Sequence, residues 1–180
     1  MTTAELPTRT VAPDRTKALV ATVRTPAGPF TVITRTDGEA VLASGWTDET
    51  GLLLPVIHPS LRPRMLQRSE ITDRITDVVS AYHEGDIASI NDVAVEQLSG
   101  PFLMHAWEVL RQVPPGGPVT YTEYAQLSGR PVAVRAAASA CARNAAALFV
   151  PCHRVLRLDG SLGGFRWGLP VKQWLINHER

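Results

Sequence analysis

Partway along this chain the period of its apolar residues changes. Residues 19–44 alternate apolar and polar, whereas residues 71–82 and most of the chain beyond 100 place apolar side chains three or four apart. Alternation marks half-buried strands, and a spacing near 3.6 marks helices with one buried face. Strands first and helices later put the chain in the α+β class. The strands are expected at Leu19–Arg24, Phe30–Arg35 and Ala40–Ser44, joined by Thr25-Pro26-Ala27-Gly28-Pro29 and Thr36-Asp37-Gly38-Glu39. Pro55, Pro59 and Pro63 make residues 50–65 an irregular connection, and Ile71, Ile75, Val78, Val79 and Tyr82 share one helix face ending near Gly85. Residues 86–100 carry no clear period, and Ser99-Gly100-Pro101 marks a boundary. The expected organisation is a loose tail (1–17), an N-terminal domain (18–90), a linker (91–100) and a C-terminal domain (101–180).

The C-terminal part opens with the stripe Phe102, Ala106, Val109, Leu110 and Val113, stopped by Pro114-Pro115-Gly116-Gly117-Pro118. Thr120 and Glu123 fit a capping box for a short helix, Tyr121–Ser128. Gly129 and Pro131 interrupt, and an alanine-rich helix is expected over Val132–Arg143. Helix, tight turn, helix suggests a helix-turn-helix module. A last amphipathic helix, Pro170–His178, turns Val171, Trp174 and Leu175 inward.

Charge is split along the chain. Residues 1–100 hold 9 Lys and Arg against 13 Asp and Glu, net −4; residues 101–180 hold 9 against 4, net +5. Only the second part therefore suits a polyanion. Cys141 and Cys152 are too few for a disulfide framework, which favours a reducing, cytoplasmic compartment. Residues 1–17 lack the apolar segment of a signal peptide, and no apolar run approaches membrane-spanning length. His58, His83, His105 and His178 show no metal-ligand spacing, so neither metal nor cofactor is expected.

Cys152, after Pro151 and before His153 and Arg154, reads as a nucleophile whose pKa the two neighbours lower. The alternative is a small buried core residue. Adjacent side chains point apart, so His153 is expected to reach the sulfur through water. Arg135 interrupts Ala133, Ala136, Ala137, Ala138, Ala140 and Ala142 on a helix thin enough to approach a nucleic-acid groove. Taken alone, Tyr121 reads as a packing residue, Asn144 as a helix C-cap and Glu179 as a solvated carboxylate. The glycine-rich stretch Gly163-Gly164-Phe165-Arg166-Trp167-Gly168 lacks the strand context and lysine of a phosphate loop.

Pro151-Cys152-His153-Arg154-Val155 resembles the active-site motif of the O6-alkylguanine-DNA alkyltransferases, the methylated-DNA–protein-cysteine methyltransferases. The resemblance extends to the order Tyr121, Arg135, Asn144, Cys152, at spacings of 14, 9 and 8. Phe102, Trp107, Leu110 and Pro114 resemble the family's preceding helix, and Gly164–Gly168 resembles the loop of a bacterial branch. Thr25–Pro29 and Tyr82–Gly85 carry a weaker likeness.

This resemblance implies an N-terminal ribonuclease-H-like α/β roll and a mostly helical C-terminal domain with a helix-turn-helix. It implies direct-reversal repair of double-stranded DNA, with one methyl or small alkyl group moved irreversibly from guanine O6 to Cys152. O4 of thymine is a second candidate position. His153 would take the thiol proton through water, Glu179 would set the imidazole tautomer, and Tyr121 would hydrogen-bond guanine N3. Ala133, Val134, Ala136 and Ala138 would enter the minor groove, and Arg135 would fill the stack after the base flips out. Asn144 would hold the turn to the active site. Val155, Gly163, Gly164, Phe165 and Arg166 would shape the pocket, with the Cys152 and Val155 carbonyls reading the exocyclic amine. A monomer is expected. This chain has Ala138 where glycine is frequent, Ala145 where proline is usual, and Phe165 in place of tyrosine. The rival within the family is a non-catalytic alkyltransferase-like protein that binds damaged DNA; such relatives replace the cysteine. Outside it stand a cysteine hydrolase using Cys152, His153 and Glu179, and a helix-turn-helix regulator.

Overall fold

Pairing of the alternating segments builds the first layer. The computed structural model describes residues 15–68 and 73–180. In it β1 (Lys17–Thr25), β2 (Gly28–Thr34) and β3 (Ala40–Gly45) form an antiparallel meander, with Val23 opposite Phe30 and Val32 opposite Ser44. The strands match the expected ones with ends moved by one or two residues. Thr25 closes the first turn: its hydroxyl donates to the Gly28 carbonyl at 2.7 Å and accepts the Ala27 N–H at 3.2 Å.

The irregular stretch holds more order than its prolines suggest. It contains α1 (Thr50–Leu53) and a 3-10 turn (Leu54–Val56), then leads into β4 (Met65–Arg68). β4 lies parallel to β1 at the sheet edge. Its side chains are exposed or half-buried, so no alternation betrays it. α2 (Asp73–His83) sets Ile75, Val79 and Tyr82 into the core beside Phe30, Val32 and Val41; Ile71 lies outside the described residues. β5 (Ala94–Val95) pairs parallel to β3, giving the order β4-β1-β2-β3-β5. The segment expected as a linker thus supplies a strand, and the strand expected to begin after residue 18 begins at Lys17.

α3 (Pro101–Arg111) starts with proline at its first position, where no intrahelical N–H is needed. β6 (Val119–Thr120) runs directly into α4 (Tyr121–Leu127). There Thr120 and Glu123 form the expected capping box. The alanine-rich helix is shorter than its composition suggests: α5 spans Val134–Ala142, and Ala133 is its N-cap. Ala137 and Ala140 are fully buried, and their small size lets α5 approach α3 closely. Asn144 N–H bonds the Cys141 carbonyl instead of Ala140, and the Trp107 indole N–H takes the Ala140 carbonyl at 2.9 Å. β7 (Val155–Leu156) pairs parallel to β6, and α6 (Leu169–His178) closes the chain.

The boundary near residue 100 divides the chain but not the core. Phe30, Val32 and Tyr82 share one buried cluster with Trp107, Tyr124, Phe149 and Leu175. Ser44, on β3, clamps the loop after α5: its N–H donates to the Ala145 carbonyl at 2.8 Å and its hydroxyl to the Ala147 carbonyl at 2.7 Å. One position farther, Gly45 lies against the Trp167 indole, and a Cβ there would fall 2.0 Å from its Cζ2. Gly45→Ala is therefore expected to expel the indole and cost about 1–3 kcal/mol. Gly51→Ala, in α1 with open space around it, is expected to be neutral or stabilising. Urea unfolding of the two variants checks the opposite signs.

Candidate active site

Pro151 leads into a 3-10 turn, Cys152–Arg154, that runs straight into β7. Because β7 pairs with β6, and β6 with α4, this turn brings Cys152 and Tyr121 to the same cavity. Sγ is buried and accepts a hydrogen bond from Asn144 Nδ2 at 3.3 Å. Asn144 lies one residue beyond the C-cap, Arg143. Its amide serves the loop: Nδ2 also donates to the Val150 carbonyl at 2.7 Å, and Oδ1 accepts the Ala146 N–H at 3.0 Å.

Burial pushes the Cys152 thiol above its ordinary pKa; the Asn144 hydrogen bond and the Lys172 and Arg166 charges oppose that rise. This corrects the expectation that the charges of His153 and Arg154 lower the thiol pKa. Both neighbours turn instead to Glu179. His153 Nε2 lies 2.8 Å from Glu179 Oε1, and Arg154 donates to both carboxylate oxygens at 2.9 Å. Tyr82 donates to Oε1 at 2.6 Å, and Arg154 Nη1 reaches the Val113 carbonyl at 2.6 Å. Glu179, far from being solvated, is buried.

Burial acts to raise the Glu179 pKa, but the hydrogen bonds and charges of His153 and Arg154 outweigh it and bring it to about 2. The carboxylate is therefore ionised and accepts from His153 Nε2–H. Burial depresses the His153 pKa despite the pull of Glu179. The imidazole is neutral at pH 7, with its lone pair on Nδ1, which has no protein partner among the described residues.

Lys172 is a buried cation beside the site that the sequence left unmarked. It is fully buried on α6, and its ammonium bonds the Val155 carbonyl at 2.7 Å and the Leu162 carbonyl. Its position three and four residues before Leu175 and Ile176 was the available signal, since that spacing places it on the inward face. Cys141 was likewise missed as a pocket residue. Its thiol is pushed up by burial and then by Cys152 nearby.

Tyr121, Ala138, Asn144, Cys152, Gly164, Phe165 and Arg166 meet around one cavity of about 410 Å³, with Cys141, Ala142, Ala147 and Trp167 completing the wall. That volume falls within the range of small-molecule sites. Burial, then the two thiols, push the Tyr121 pKa up to about 12, so it stays a hydroxyl donor. Gly163 lies at φ 68°, where its absent Cβ would stand 3.3 Å from the Tyr121 hydroxyl. Arg166 Nη2 ties the loop to the Ala142 carbonyl at 2.7 Å. His153, Glu179 and Val155 stand behind this wall, outside the cavity lining. Arg135 is exposed, and Ala133, Val134 and Ala136 are half-buried, away from the cavity.

The site defines a class, that of proteins with a buried cysteine thiol on the wall of a ligand-sized cavity. Comparison with known proteins narrows it. The family profile for the 6-O-methylguanine DNA methyltransferase DNA-binding domain matches residues 101–180. A methylated-DNA–protein-cysteine methyltransferase of Salmonella typhimurium is 30% identical over 159 residues, covering 87% of this chain and 92% of its own length. The bifunctional transcriptional activator/DNA repair enzyme Ada of Escherichia coli is 49% identical over 78 residues, 43% of this chain. The chain spans only 22% of that longer protein. The crystal structure of Mycobacterium tuberculosis O6-methylguanine methyltransferase superposes with TM-score 0.69 at 25% identity, covering 91% of this chain and 92% of its own. The chain belongs to the methylated-DNA–protein-cysteine methyltransferase family.

The buried carboxylate yields a pH dependence. Glu179 falls from an ordinary 4.5 to about 2 on folding. A depressed carboxyl contributes stability that is complete above the unfolded pKa and disappears as pH falls through the folded one. Stability should therefore drop between about pH 4.5 and 2, with roughly 3 kcal/mol attributable to this group. Glu179→Gln should be less stable at neutral pH, because Arg154 is left buried without its anion, and should lack that acid limb. Urea midpoints at stepped pH distinguish the two profiles.

Proposed function

We propose that this chain is a direct-reversal repair protein that moves one methyl or small alkyl group from O6 of guanine in double-stranded DNA to Cys152. The observation that carries the proposal is the convergence of the Cys152 thiol and the Tyr121 hydroxyl on one cavity, with Asn144 on the sulfur. His153 Nδ1 takes the thiol proton through a water, and the imidazolium formed is balanced by Glu179. The sulfur attacks the alkyl carbon; a C–S bond forms as the C–O6 bond breaks, and that electron pair leaves with guanine. The Tyr121 hydroxyl hydrogen-bonds N3 of the departing base, where negative charge develops. The proton removed from the thiol ends on the freed guanine, so the products are guanine and S-alkylcysteine. No residue here reverses a thioether, so each chain acts once.

In this proposal α4 and α5 act as a helix-turn-helix with α5 against the minor groove, and the sheet with α2 is a ribonuclease-H-like roll. Half-buried alanines along α5 leave room for a close backbone approach. Arg135, exposed and with no side-chain hydrogen bond or ion pair among the described residues, fills the stack that the flipped base vacates. The net +5 of residues 101–180 supplies the phosphate attraction. No cofactor is needed. Two free thiols suit a cytoplasmic protein, and it acts as a monomer. The Cys152 carbonyl reads the exocyclic amine, while the Val155 carbonyl, behind the cavity wall, is held by Lys172.

Intact mass after incubation with duplex DNA containing O6-methylguanine tests this. One added methylene mass per chain, mapped to the Cys152 peptide, is the expected result. Repeated turnover, or label on Cys141 with Cys152→Ser still active, overturns it. Arg135→Ala should slow transfer from duplex DNA at least about tenfold more than transfer from a free O6-alkylguanine base, since only the duplex has a stack to refill. Equal losses on the two substrates would assign Arg135 to the fold.

A further inference from the structure

The loop between α5 and Cys152 holds an N–H that a proline would lack. That N–H belongs to Ala145, which is only 4% exposed. A buried N–H needs an acceptor. Gln97, from the segment between β5 and α3, supplies it: Oε1 accepts the Ala145 N–H at 2.7 Å. A backbone N–H can only donate, so this contact settles which end of the Gln97 amide is oxygen. Nε2 then faces Asn144 and donates to Oδ1 at 3.1 Å. The Asn144 amide is settled in the same way by the Ala146 N–H and the Val150 carbonyl. Its Nδ2 continues to Cys152 Sγ.

We propose that Gln97 is a positioning residue for Cys152: it holds and polarises the Asn144 amide on the sulfur, and its bond to the Ala145 N–H stiffens the loop. The inference rests on Cys152 being the nucleophile of the proposed function. The loop requires such restraint. Leu148 is fully buried at φ 76°, a left-handed conformation that a leucine keeps only when its surroundings over-determine it. Ser44 pins the Ala145 and Ala147 carbonyls from one side, and Gln97 pins the Ala145 N–H and Asn144 Oδ1 from the other. Gln97 precedes the C-terminal domain in sequence, so the setting of the thiol depends on the N-terminal half of the chain.

Three variants of the full chain test this: Gln97→Glu, Gln97→Ala, and Gln97→Ala combined with Ala145→Pro. Two readouts are taken: the pH profile of iodoacetamide labelling at the Cys152 peptide, which needs no DNA, and the rate of methyl transfer from duplex DNA. Gln97→Glu keeps the acceptor for Ala145 but sets a carboxylate against Asn144 Oδ1. Its labelling profile should move up by about one pH unit, and transfer at neutral pH should slow about tenfold. Gln97→Ala should slow transfer about tenfold by orphaning the Ala145 N–H. Adding Ala145→Pro removes that N–H and restores stiffness, so the double variant should recover to within about threefold of the parent. Unmoved labelling profiles in both single variants, with loss confined to urea stability, would reduce Gln97 to a structural role and overturn the proposal. So would full activity in Gln97→Glu. A parent protein that accepts no methyl group from DNA overturns the proposed function instead, and the iodoacetamide profiles still decide the role of Gln97.

Discussion

The Glu179 carboxylate joins three parts of the molecule that meet nowhere in sequence. It accepts from Tyr82 on α2, from His153 and Arg154 in the turn that starts with Cys152, and it lies at the end of α6. A buried anion is tolerated only where donors surround it, and here four hydrogen bonds do so. Arg154 extends the junction to the Val113 carbonyl just beyond α3. The orientation of the imidazole behind the thiol and the seating of the last helix are consequences of one charge cluster.

The thiol itself is handled differently. Its neighbours in sequence serve Glu179, and its hydrogen bond comes from Asn144, whose amide is held by its own loop and by Gln97. The cations opposing its burial, Lys172 and Arg166, arrive from α6 and the glycine-rich loop. Lys172 also holds the Val155 and Leu162 carbonyls, so one ammonium both shapes the backbone after the active turn and adds positive potential near the sulfur.

Small residues give α5 its separate edges. Ala137 and Ala140 face the protein core, Ala138, Cys141 and Ala142 line the cavity, and Arg135 is exposed. A larger side chain at the buried positions would push the helix off α3 and the cavity wall with it. The Trp107 bond to the Ala140 carbonyl then satisfies a helix end that Asn144 leaves open by turning into the active loop.

Much of this was legible in the residues. Alternation marked the three-stranded meander, the 3.6 spacing marked α2, α3 and α6, and Thr120 with Glu123 marked the start of α4, because these signals act between residues close in sequence. The Tyr121, Asn144 and Cys152 set was legible through its resemblance to a family, and those residues do meet at one cavity. β4 and β5 were not legible, being a short exposed edge strand and a two-residue strand whose pairing, not pattern, defines them. Nor was the start of α5, expected at Val132 and found at Val134, because its N-cap, Ala133, has no capping side chain to mark it. Gln97 and the burial of Glu179 belong to the tertiary structure alone, and Lys172 had only its spacing from Leu175 and Ile176 to mark it. A polar side chain in isolation is indifferent to burial; which one is buried, and which acceptor it finds there, is decided only when segments far apart in sequence pack and exclude water.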